Sequence, residues 1–74
     1  MNHEYEKMVG QRIRYFRELR GLTQEQLSAK LQLLACDITR SAVAKMEAGQ
    51  RHIYLDELKR IAEILCVSYE SLLD

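Results

Sequence analysis

Arg40, Ser41, Ala44 and Lys45 stand at positions i, i+1, i+4 and i+5 of a segment that reads as helix, and so form one contiguous patch. Two cations, a hydroxyl and a methyl are not what a core requires. Val43 and Met46, on the other side of the same segment, are. The patch is therefore free for a partner outside the chain, and its chemistry is hydrogen-bond donation to an acceptor-rich or anionic surface. Other chemistries find no residues to carry them. Serine, histidine and aspartate fall in no arrangement of nucleophile, base and orienting acid, and no glycine-rich loop is present to cradle a phosphate. Cys36 and Cys66 lack a CxxC spacing and have only His3 and His52 to join them, which does not make a zinc site. They are expected to be buried small hydrophobes in a reducing compartment. The sequence predicts no enzyme, no cofactor and no metal.

A patch of this kind works only if the chain holds it still, and the remaining residues read as its scaffold. The 74 residues make one domain, 1–74, small enough for its stability to be marginal. No proline and only three glycines punctuate it, too few for a sandwich of short strands and suited to helices with short connections. Tyr5, Met8, Val9, Ile13 and Phe16 recur at helical intervals and predict a first helix, ended by Gly21. Thr23-Gln24-Glu25-Gln26 has the form of a capping box. Leu27, Leu31 and Leu34 then make one stripe of a second helix that reaches about Leu34 or Ala35. Ile38, in the connection, is apolar enough to enter the core. Thr39 caps a third helix, Arg40 to Glu47, which at about two turns must be held by packing. The polar loop Gly49-Gln50-Arg51-His52 leads to a fourth helix over roughly Leu55 to Leu65, and Ser68 caps a short fifth, Tyr69 to Leu73. The expected fold is all-α.

The formal net charge is zero, which taken alone argues against a nucleic-acid partner. Its distribution argues otherwise. From Ile38 to His52, Arg40, Lys45 and Arg51 face the single Glu47, a balance of +2. From Ile53 to Asp74, Lys59 and Arg60 face Asp56, Glu57, Glu63, Glu70 and Asp74, a balance of −3. One basic face and an acidic far end still allow docking on phosphates. No apolar run approaches the ~20 residues needed to cross a bilayer, and no leader peptide is visible, so a cytoplasmic protein without membrane contact is expected.

Two runs of residues resemble a known family. Val9-Gly10-Gln11-Arg12-Ile13-Arg14, Arg17, Gly21-Leu22-Thr23-Gln24 and Leu27 are similar to the start of the Cro/phage-repressor-like helix-turn-helix family. Ser41 to Arg51, then Leu58, Ile61-Ala62, Leu65 and Val67-Ser68 to Leu72-Leu73, resemble its later helices. The resemblance covers about residues 9–73 and implies a five-helix repressor-like bundle whose third helix enters the major groove of double-stranded DNA. It implies that Arg40, Ser41, Ala44 and Lys45, the outward patch, face base edges. It also implies that Gln24, Thr39, Gln50 and Arg51 meet phosphate, and that Arg17 and Glu47 form a structural ion pair. An arginine fork fits the two major-groove acceptors of guanine. Lys45 suits a guanine or a phosphate equally, Ser41 makes single adaptable hydrogen bonds, and Ala44 offers a methyl or simply clearance.

The chain departs from the family pattern in two places. The connection 32–38 is longer than the usual tight turn, with Ala35 or Cys36 where a glycine is common, and it bears on the tilt of the reading helix. Ile53-Tyr54 stands in place of the usual proline and cap. Ile64, Tyr69, Leu72 and Leu73 exceed what a short last helix needs for its own core, so a two-fold homodimer through that helix is expected, acting as a small transcriptional regulator of the repressor type. No segment reads as a ligand-sensing domain, so no small-molecule ligand is expected. The rival reading is a helical adaptor of the same fold that binds protein and has lost DNA.

Overall fold

The structure, a computed structural model, describes residues 3–74. Five helices follow one another: α1 (His3–Leu19), α2 (Gln24–Leu33), α3 (Arg40–Glu47), α4 (Leu55–Leu65) and α5 (Tyr69–Leu73). No strand occurs among the described residues. The all-α architecture and the order of its helices are those the sequence predicts. One core gathers Val9 and Ile13 from α1, Leu27 and Leu31 from α2, Val43 and Met46 from α3, Leu58, Ile61 and Leu65 from α4, and Leu72 from α5. Since α3 packs against both α1 and α2, a helix too short to persist alone is held by its neighbours.

The helix ends explain how so few glycines suffice. In the Schellman closure, the residue just past the helix turns left-handed, and its own amide and the next one bond back to the last turn. Gly21 (φ 71°) closes α1 in this way, with its amide on the Glu18 carbonyl and that of Leu22 on Arg17. Gly49 (φ 73°) closes α3, with its amide on Met46 and that of Gln50 on Lys45. Ala35 (φ 59°) closes α2 and Cys66 (φ 57°) closes α4 by the same pair of bonds. A β-carbon is disfavoured there by about 1–2 kcal/mol.

Ala35→Gly therefore removes strain, partly offset by the greater freedom of glycine in the unfolded chain. We expect Tm to rise by roughly 3–6 °C, since ~1 kcal/mol moves a domain of this size by about 4–8 °C. Ala29→Gly, in the body of α2, should lower Tm by a similar amount, because there glycine only weakens the helix. A thermal melt of the two variants that moves in one direction would remove the conformational argument.

The connection after α2 corrects two expectations. Leu34 does not continue the core stripe: α2 stops at Leu33, and Leu34 is 43% exposed. Its place is taken by Ile38, which folds back to be 1% exposed. The Ile38 carbonyl is fixed from α2 by the Ser28 hydroxyl at 2.7 Å. Nor are both cysteines buried. Cys36 is half-buried and Cys66, at the exposed left-handed turn, is not; both are free thiols.

Candidate nucleic-acid interface

Thr39 stands in extended conformation ahead of α3, and its hydroxyl accepts the Ala42 amide at 3.1 Å. The amides of Arg40 and Ser41 precede the first intrahelical donor, the Val43 N–H on the Thr39 carbonyl, and remain available to an anion. Val43, Met46 and Glu47 turn inward, which leaves Arg40, Ser41 and Lys45 exposed and Ala44 half-buried on the opposite side. The second contributor is the start of α2. Thr23 accepts the Gln26 amide at 3.0 Å while the Gln26 side chain accepts the Thr23 amide at 2.8 Å, a complete capping box. Gln24, Thr39, Arg40, Ser41 and Ala44 together line one open depression. The chain thus assembles the helix-start residues and most of the outward patch into a single concave face; Lys45 sits further along α3 and does not line it.

The rigidity of that face comes from a carboxylate at the other end of α3. Glu47 is buried and receives Arg17 Nε at 2.7 Å and Nη2 at 3.1 Å, a two-pronged pair between α3 and α1. Arg17 Nη1 donates to the Leu22 carbonyl at 2.7 Å, tying in the turn between α1 and α2. Gln24 Nε2 donates to the same Glu47 at 3.1 Å. One carboxylate therefore joins three helices. The hydrogen bond from Arg17 to Glu47 raises the Arg17 pKa above its ordinary value despite burial, so the guanidinium stays charged.

The side chains of the remaining expected residues are differently placed. Gln24 directs its amide group at Glu47, which leaves the backbone N–H at the start of α2 as the group this position can offer an anion. Gln50 is exposed in the loop after α3. Arg51, expected on phosphate, is half-buried. Its Nη1 and Nη2 bond the two oxygens of Glu57 at 2.9 and 3.0 Å, and Nη1 also reaches the His52 carbonyl at 2.9 Å. The Arg51 hydrogen bonds hold the Glu57 carboxyl below the usual range, against its burial, while the pair raises Arg51. Sequence reasoning missed that partnership because it joins a loop to the first turn of the next helix. His52 Nδ1 lies 2.9 Å from the buried carboxylate of Glu6 on α1, a second anchor of the same loop.

Two glycines also escaped notice as packing devices. A β-carbon on Gly10 would meet the Met46 carbonyl oxygen at 2.1 Å, and one on Gly49 would meet Lys7 Cβ at 2.8 Å. Backbone contact this close is how α1 seats the end of the short α3. The available signal was Gly10 itself, a poor helix former in the middle of a strongly periodic helix.

Comparison with known proteins agrees with this geometry. The family model described as helix-turn-helix matches residues 13–72. The chain belongs to the helix-turn-helix family. The match takes in α2, α3 and α4 whole, with parts of α1 and α5. The control protein C.BamHI of Bacillus amyloliquefaciens is 28% identical over 74 residues, covering 100% of this chain and 86% of that protein. The crystal structure of the restriction-modification controller protein C.AhdI from Aeromonas hydrophila superposes with a TM-score of 0.81 at 30% identity, covering 97% of this chain and 99% of that one. The DNA-binding domain of BldD superposes with a TM-score of 0.84 at 27% identity over the full length of both chains. Among the described residues no helix is long and apolar enough to cross a membrane.

Proposed function

We propose that the protein reads a specific operator in double-stranded DNA, with α3 in the major groove, and acts as a transcriptional repressor in two-fold dimeric form. That it is a DNA-binding transcriptional regulator follows from its family and relatives. The finer reading rests on one observation: Arg40 and Ser41 are exposed beside the capped helix starts at Thr39 and Gln24, on one concave face. Base edges are assigned to Arg40, Ser41, Ala44 and Lys45. Phosphates fall to the amides at the starts of α2 and α3, near Gln24 and Thr39, and to Gln50 and Arg51 in the following loop. Phosphate contacts supply grip and base contacts supply sequence.

The dimer is supported by apolar surface near the chain's end. Leu72 closes the protein's own core and is unavailable, and Ile64, Tyr69 and Leu73 are half-buried against it. Tyr54 and Leu55, 62% and 72% exposed, extend an apolar groove shared with Tyr5 and Leu73. Two subunits joined there would read half-sites about one DNA turn apart, ~34–36 Å.

Selection of bound duplexes from a random pool tests the whole reading. A palindrome with that spacing is the expected product, and binding should weaken steeply with salt. On the selected site Arg40→Ala is expected to lose about 1–3 kcal/mol, and much less on random duplex. Equal losses on both would move Arg40 from bases to phosphate. Absence of any salt-sensitive binding would favour the adaptor reading instead.

A further inference from the structure

Arg51 is the cation of the loop after α3, and it is not free. Its guanidinium faces the Glu57 carboxylate through two parallel hydrogen bonds at 2.9 and 3.0 Å, the tightest arrangement these groups offer. Both side chains are partly sheltered, 28% and 13% exposed, so salt screens the pair less than it would an open surface pair. Glu57 is itself immobilised, because Oε1 also accepts the Tyr54 amide at 3.1 Å at the start of α4. The exposed ion pairs Arg14–Glu18 and Arg60–Glu63 join neighbours within one helix and lack this anchoring. A phosphate that recruits Arg51 must therefore displace a fixed, well-aligned anion.

We infer that Glu57 acts as an intramolecular stand-in for DNA phosphate, holding Arg51 back until a specific complex seats the loop against the backbone. The inference rests on the DNA reading proposed above. On random duplex, with fewer contacts made by α3, exchanging Glu57 for phosphate gains little, and Arg51 stays paired. On the operator, base contacts bring the loop within reach and the exchange follows. Glu57 thereby determines specificity without touching DNA. It also fits a domain whose formal charge is zero: indiscriminate electrostatic binding is reduced by pairing one of the cations that would contribute to it.

The test is Glu57→Gln, read by fluorescence anisotropy on random and selected duplexes over a range of salt. Glutamine still accepts the Tyr54 amide, so the start of α4 is preserved. Random-duplex affinity is expected to rise on the order of fivefold, the strength of a modest ion pair. Its logarithmic salt slope should steepen by about 0.9 per subunit, for one phosphate gained. Affinity for the selected site should change less, so the ratio between the two falls. Arg51→Lys, which keeps the charge but loses the two-pronged fit, should move both readouts the same way with α4 untouched. The gain should vanish in Glu57→Gln with Arg51→Ala. Three results overturn the inference: unchanged random binding in both single variants, a gain that survives Arg51→Ala, or an equal gain in Glu63→Gln, which removes the same charge from the exposed pair with Arg60. A parent protein that binds no duplex overturns the DNA reading itself.

Discussion

Glu47→Ala is expected to leave the domain barely folded at 25 °C, while Glu63→Ala changes little. The buried carboxylate accepts three hydrogen bonds, two from Arg17 and one from Gln24. Removing it leaves a guanidinium in a sheltered site with only the Leu22 carbonyl as hydrogen-bond partner among the described residues. The loss of one member of a buried pair typically costs ~3–5 kcal/mol, because the other charge keeps its desolvation penalty. The least stable natural domains have only about 5 kcal/mol in all. Glu63 is exposed and pairs with Arg60 one turn away, where the worth of an ion pair is at most about 1 kcal/mol. Thermal unfolding followed by circular dichroism decides between them. A melt of Glu47→Ala that overlays the parent would mean that the joint between α1, α2 and α3 carries no stability. Glu47→Gln is the informative intermediate: it keeps an acceptor and most of the shape, and should lie between the two.

Gly10→Ala should destabilise the protein although alanine is the better helix former. The two effects have opposite signs, and their sizes decide. In an open helix, alanine in place of glycine gains about 1 kcal/mol. Here the added β-carbon would lie 2.1 Å from the Met46 carbonyl oxygen and 3.1 Å from Glu47 Cα, both backbone atoms that no rotamer change can move. The helices must separate, which opens the core around Val9, Ile13, Val43 and Met46 and stretches the bonds from Arg17 to Glu47. Overpacking alone typically costs about 1–3 kcal/mol, and the strained ion pair adds to it. With the gain from alanine subtracted, a net cost of about 1–2 kcal/mol remains, so we expect Tm to fall by roughly 4–16 °C at about 4–8 °C per kcal/mol. Urea titration should show a lower midpoint with an unchanged slope if the native state merely loosens. A variant as stable as the parent would show that α1 and α3 shift apart at little cost. The displacement would also tilt α3, so affinity for a selected operator should fall more than affinity for random duplex.

Whatever local rules govern was legible along the chain. Periodic apolar positions placed the helices, because a 3.6-residue repeat leaves one face to bury. Thr23, Thr39 and Ser68 marked helix starts, because a side-chain oxygen there satisfies an amide that nothing else reaches. The outward patch on α3 was legible for the same reason: once Val43 and Met46 are assigned inward, geometry assigns Arg40, Ser41 and Lys45 outward.

How far each polar side chain is already committed emerges only from the way the helices pack. Gln24 and Arg51 look free along the chain, yet the first bonds Glu47 and the second Glu57, across 23 and 6 residues. Neither partnership follows from periodicity, because both depend on how elements meet. The left-handed turns at Ala35 and Cys66 were hidden likewise, since the core's demand for Ile38 and Val67 to fold back overrides the local preference for glycine. Gly10 was visible as an anomaly, but only the closeness of the Met46 carbonyl gives the reason: side-chain absence lets two backbones touch, and a linear sequence does not say which two.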